Sequence, residues 1–497
     1  MFKLSKMRNL LLILLTGLFV TFCTVQRSPV TGNKRAYGYS WEQEVQIGKK
    51  SDKQIQQQYG VYQDENLQQY VERIGQKVLS KSHLRREDTP AKYKNTEFHF
   101  RVLNSEIPNA FALPGGYVYV TRGLLAHLEN EAQLAVVLGH EIGHVAARHA
   151  SQRALEQQVG QLALVGGAVG GEVLGLPGGD ILQLGSQAAQ LLFLSYSRDD
   201  ERESDRLGVE YAAMEHYDAA RGAGFFSALE RISEQSGQAL PTWQSTHPDP
   251  GERQNTIPSL AQKWKKKGYE QNIVDTDQYM QEIDGLVYGK NPREGFTRNG
   301  VFYHPELKFQ FPYPQGWKLV NQTSVVQMVN DDQNAIILFQ IDSKNDSPRA
   351  SVKEFLSQDG VKGIAANDRS NNGLNAYEAT AKAQAEGGGD VKLYLYSVAY
   401  NGNIYRYVAY TLAEQFDSYS DEFKRTTSNF SKLTDRSILN IQPVRLQASR
   451  ANRSGTFDSF VPENLPMDLT EQDVAITNQV QLNEKISSGQ WIKIPKQ

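Results

Sequence analysis

One cysteine in 497 residues excludes any intramolecular disulfide, so the fold must be held by buried apolar cores or by a metal. An excess of one charge is also missing. The 53 basic residues face 56 acidic ones, a net charge of -3, which argues against nucleic acid as the main partner. Hydrophobic residues make up 39% and the mean hydropathy is -0.52, values of a water-exposed globular chain rather than a multi-span membrane protein. The length exceeds what one core can serve, which predicts two or three domains.

The position of the cysteine says more than its number. Lys3, Lys6 and Arg8 precede the apolar run Leu10 to Phe22, too short to span a bilayer comfortably but matching the core of a secretion signal. Val20-Thr21-Phe22-Cys23 resembles a bacterial lipobox, with Phe22 where a small residue is usual. The expectation is a signal peptide over 1–22, lipidation at Cys23, and a polar tether over 23–40. Val159 to Leu176 is long enough to cross a membrane, but its six glycines, Gln161 and Glu172 make it a poor span and a better flap.

Apolar spacing predicts two helices between Trp41 and Leu79 and short strands at Phe98 to Val102 and Tyr117 to Val120. Asn130 to His149 reads as a helix capped by Asn130, and Ser197 with Asp200 forms the capping-box pattern of another. The basic run Gln262 to Gly268 closes a first domain of 41–268, followed by a connector at 269–300. Strands and two helices over 301–435 predict an α+β module, and 440–497 a third, small unit.

His140-Glu141-Ile142-Gly143-His144 is HEXXH on the helix of 130–149. Residues four apart differ by about 40° around a helix, so both imidazoles point one way and can share a zinc ion, with Glu141 beside the open coordination position. A third histidine six residues on is absent, since Ala150 stands there, which excludes the metzincin pattern. Downstream, Glu201 and Asp205 lie one turn apart. Glu201 can complete the metal set while Asp205 accepts the outer ring proton of a ligand histidine, and Glu203 points away as the weaker ligand.

The runs Asn109 to Gly116 (NAFALPGG), Asn130 to His149, Ser195 to Gly208 (SYSRDDERESDRLG) and Ser245 to Arg253 (STHPDPGER) resemble the HtpX/BepA-like family of zinc metallopeptidases. The leader and Ser28 to Lys34 resemble its lipoprotein members. The resemblance implies an α+β, gluzincin-type metalloprotease domain with one zinc per chain on His140, His144 and Glu201, and Glu141 as general base. His247 and Arg253 match the family's histidine-proline loop and are placed with the catalytic residues, His247 as oxyanion stabiliser or as a latency ligand on zinc. Tyr117, Val118 and Tyr119 resemble an edge strand that would pair with substrate.

The last unit resembles the close of a LysM repeat, at Asn478 to Val480 and Gly489 to Ile494, with a degenerate start at Ser454 to Phe457. It points either to cell-wall glycan contact or to a structural cap. Together these readings imply an envelope endopeptidase, lipid-anchored on the periplasm-facing outer membrane, that hydrolyses misfolded or misassembled envelope proteins. The alternative is a largely non-catalytic chaperone or assembly factor with a latched zinc site.

Overall fold

Residues 24–164, 196–236, 247, 253–384, 389–467 and 469–497 are described by the computed structural model. Cys23, the leader before it and positions 165–176 of the expected flap lie outside the described residues. The expected tether does not stay extended. Strands β1 (Thr24–Arg27) and β2 (Lys34–Tyr37) pair antiparallel, and Tyr37 and Ser28 are buried against the first domain.

Helices α1 (Trp41–Tyr59) and α2 (Glu65–Ser80) pack beside a three-stranded sheet of β3 (His99–Leu103), β4 (Ala110–Leu113) and β5 (Tyr117–Thr121). The order is β3-β5-β4, parallel between β3 and β5 and antiparallel between β5 and β4. Strand β5 is therefore central. Tyr117, Val118 and Tyr119 already have ladder partners on both sides and are buried, so the expected edge-strand role does not hold for them. The edge strand beside the HEXXH helix is β4.

After the short α3 (Arg122–His127), α4 (Glu131–Ala147) carries HEXXH, and its every residue is buried. Asn130 caps it as expected, its side chain accepting from the Gln133 amide. The helix stops before His149, because Arg148 takes a left-handed conformation at φ 62°, and α5 (His149–Leu164) starts in a new direction. The Arg148 side chain is anchored at the break. It is buried, donates to Glu44, to Gln26 and to the Tyr39 carbonyl, and lies over the Tyr37 ring.

Helix α6 (Arg198–Met214) crosses α4 where Gly139 meets Gly208. A Cβ on Gly208 would stand 2.6 Å from the His140 amide nitrogen, so the close crossing requires glycine. Ser197 and Asp200 form the capping box that fixes the first turn, which carries Glu201. Helices α7 (Gly222–Ser236), α8 (Arg253–Lys266) and α9 (Thr276–Glu282) complete this half. The expected connector is not a free linker, since Tyr279, Met280, Ile283, Leu286 and Tyr288 enter the same core.

The module after it is built on a seven-stranded antiparallel sheet, in the order β12 (Lys362–Asn371), β13 (Leu374–Gln384), β14 (Asp390–Tyr400), β15 (Asn403–Leu412), β11 (Ala335–Ile341), β10 (Val326–Val329) and β9 (Lys318–Asn321). Three Asn-Gly turns with positive φ at both residues close hairpins at 299–300, 372–373 and 401–402. Along β14 (Asp390–Tyr400), Leu393 and Leu395 face the core under α10 (Pro348–Leu356), while Tyr394, Tyr396 and Val398 face the core with Phe416 and Phe423 of α11 (Phe416–Ser428). Both sheet faces are thus covered.

In the last unit, β17 (Arg445–Arg450) pairs antiparallel with β20 (Trp491–Lys496), and α12 (Glu471–Thr477) lies between them in sequence. Its Val444 and Leu446 join the first core. Lys493 is fully buried, donating to the carbonyls of Ala126 and Leu128 and ion-paired with Glu129 at 2.7 Å, just ahead of the HEXXH helix.

Candidate metal centre

The crossing of α4 and α6 brings side chains 60 residues apart in sequence into one buried cluster. His140 Nε2 and His144 Nε2 lie 3.0 Å apart, as the one-turn spacing demands. Glu201 reaches both, at 3.5 Å from His140 and 3.4 Å from His144. His247 joins from its own segment, its Nδ1 3.1 Å from Glu201 and 3.4 Å from His140 Nε2. One ligand-type atom from each of these four residues falls within 4.8 Å of every other, and all four are buried.

The chemistry of that donor set fits a cation. Asp205 Oδ1 is 2.8 Å from His140 Nδ1, an ion-pair contact that favours a proton on that nitrogen and a lone pair on Nε2. Ring nitrogens and a carboxylate then converge in one buried space, an arrangement that a cation among them would stabilise. The same carboxylates draw positive charge to the site. Burial disfavours the charged His140 ring, yet the hydrogen bonds and charges of Asp205 and Glu201 outweigh it and push the pKa up to about 9.

The two glutamates diverge. Burial pushes the Glu141 carboxyl up, against the pull of His247 and His140. Burial acts the same way on Glu201, but the charges of His247 and Arg253 overcome it and hold that carboxyl well below the usual range. Environment therefore makes Glu141 the more basic carboxylate of the two. Among the described residues neither Glu141 oxygen has a hydrogen-bond partner, and Oε1 lies 3.7 Å from His247 Nε2.

Arg253 is tied to the carboxylates of this cluster. Buried at the start of α8, it donates to Glu201 and, from Nε at 2.9 Å, to Asp205. It is a positioning residue, because both of its ion pairs go to groups that themselves hold the histidines. Glu203, the weaker candidate, is indeed outside the four-residue cluster and lies beside His149.

Two further neighbours escaped the sequence reading. Tyr196 stacks on His144 with ring centroids 4.0 Å apart, and burial followed by Glu141 raises its phenol pKa. Its place directly before the Ser197 cap was the available signal. His149 stands 3.0 Å from His144, Nδ1 to Nδ1, and was hidden by the expectation of a continuous helix.

The same stretch of chain has a family counterpart. Residues 65–261 match peptidase family M48. The chain is 31% identical over 232 residues to the beta-barrel assembly-enhancing protease of Escherichia coli K12, covering 45% of each, and 28% identical over 247 residues to that of Yersinia pestis, covering 48% of each. It is also 25% identical over 237 residues to the mitochondrial metalloendopeptidase OMA1 of Schizosaccharomyces pombe, covering 47% of this chain and 65% of that one. The chain thus spans about half the length of the bacterial relatives in these matches.

Proposed function

We propose that the chain is a zinc-dependent endopeptidase of the bacterial cell envelope, acting on misfolded or misassembled envelope proteins. The observation that carries this is the buried convergence of His140, His144 and Glu201 beside a Glu141 carboxyl that has no hydrogen-bond partner among the described residues. His140, His144 and Glu201 would hold the zinc, which when bound supplies Lewis acidity to the scissile carbonyl and to a water. Glu141 would accept a proton from the attacking water and return it to the leaving amine nitrogen. Asp205 keeps the His140 proton on Nδ1, and Arg253 keeps Glu201 and Asp205 in place. With β5 central, an extended substrate would pair with the edge of β4.

A second reading has its own observation. His247 sits within ligand range of the other three residues, which supports a latched state in which it occupies the position that substrate needs. On that reading the resting protein acts as a chaperone or assembly factor until the latch opens. The relatives named as beta-barrel assembly-enhancing proteases suggest the client class for either reading.

Cys23 would carry the lipid that holds the protein on the periplasm-facing outer membrane; among the described residues no helix is long and apolar enough to cross a membrane. The β17–β20 pair with α12 between is in keeping with a LysM-like unit, as glycan contact or as cap. The test of the enzyme reading is metal content and casein cleavage of the purified chain. One zinc per chain, activity lost to a chelator and restored by zinc, is the expected result; metal-independent cleavage would overturn it.

A further inference from the structure

We infer that His149 is the outer hydrogen-bond partner of His144, a positioning residue that fixes the His144 tautomer for metal binding; this rests on the zinc reading above. On an unbroken helix, residues five apart point about 140° away from each other. The left-handed Arg148 cancels that divergence, and the first residue of α5 returns to the back of the His144 ring. The two Nδ1 atoms are then 3.0 Å apart, with the rings at 76° to one another.

Two ring nitrogens at that distance need one proton between them unless a cation takes both lone pairs. His144 Nε2 faces His140 Nε2 at 3.0 Å and Glu201 at 3.4 Å, so it must offer a lone pair to a shared cation and carry its proton on Nδ1. His149 Nδ1 is then the acceptor, and its own proton lies on Nε2. That nitrogen is 3.4 Å from Glu203 and 3.6 Å from Asp200, two carboxylates able to take it. Ser204 Oγ, 3.4 Å from the same Nδ1, is a weaker second donor.

The two ligand histidines are thus backed differently. His140 is held by a carboxylate directly, and His144 by a carboxylate through a second imidazole. This gives Glu203 a role that its distance from the metal cluster denied it. It also gives a purpose to the buried Arg148 anchor, because without the break His149 could not reach His144.

The test compares zinc affinity of the full chain, by competition with a chromogenic chelator, in wild type, His149→Leu and His149→Asn. Loss of an outer partner lowers metal affinity by about 10- to 100-fold. His149→Leu should show that loss, while His149→Asn, whose amide oxygen can accept near the Nδ1 position, should recover most of it. The zinc-free melting temperatures should not follow that order. Equal affinity in wild type and His149→Leu, or equal loss in both variants, would overturn the inference.

Should His149→Leu fail to fold, nitrogen-15 spectra of the zinc-loaded wild type decide. The proton is expected on Nδ1 of His144 and Nε2 of His149, and a proton on His149 Nδ1 overturns the relay. A wild type that binds no zinc overturns the zinc reading itself, a result distinguishable from failure of the relay alone.

Discussion

Asp205 Oδ1 lies 2.8 Å from His140 Nδ1, and the other oxygen of the same carboxylate takes the Nε proton of Arg253 at 2.9 Å. One side chain of α6 therefore fixes a ring on α4 and is itself fixed from α8. Asp205→Ala removes the acceptor that holds the His140 tautomer, and zinc affinity should fall about 10- to 100-fold. Chelator competition measures it, and unchanged affinity would show that Asp205 does not hold the tautomer.

His247 is the variant that separates the two functional readings. Its Nδ1 lies 3.1 Å from Glu201, in the space shared by the proposed ligands. If it latches the site, His247→Ala should raise casein cleavage severalfold with zinc still bound. A fall in turnover without loss of zinc would instead favour the oxyanion role.

The C-terminal unit should contribute to the stability of the half that carries HEXXH. Lys493 Nζ is buried among the Ala126 and Leu128 carbonyls and Glu129, while Gln479 bridges to Gln133 of the HEXXH helix and to the His127 carbonyl. Breaking a buried ion pair costs about 3–5 kcal/mol, because the abandoned partner stays desolvated. Lys493→Met should lower the stability of the whole HEXXH-bearing half by that order in urea titration. Separate, unshifted melting of that half would contradict the coupling.

How far the sequence anticipated the structure depended on the kind of signal. HEXXH, Glu201 and Asp205 were legible because helical periodicity places residues four apart on one face, and the capping residues Asn130 and Ser197 because their side chains solve a local hydrogen-bonding problem. The centrality of β5 was not legible, since strand order is a long-range property and a buried apolar run looks the same at the edge and in the middle. The hairpin of β12 (Lys362–Asn371) and β13 (Leu374–Gln384) was missed because β12 is almost wholly exposed and polar. Its Asn372-Gly373 turn was the usable signal. His149 was hidden because a left-handed arginine held by Glu44 and Tyr37 cannot be read from periodicity.

Acid should destabilise the fold through histidines away from the metal centre. Burial pushes the pKa of His127, on α3, and of His304, before the Phe309 strand, down to about 4, against roughly 6.5 in an unfolded chain. The unfolded state then binds more protons, so their contribution is complete above about pH 6.5 and erodes as the pH falls towards 4. The urea midpoint should drop across that window. His304→Asn, which keeps an acceptor for the Leu307 amide but cannot titrate, should make the loss shallower; an equal slope would contradict the assignment.

The most direct measurement is on Glu141→Gln. The substitution keeps size and burial while removing the carboxylate that would move the proton between water and leaving amine. Zinc content equal to wild type, with casein cleavage reduced to background, is the predicted outcome. Undiminished cleavage by the zinc-loaded variant would contradict the account at its centre.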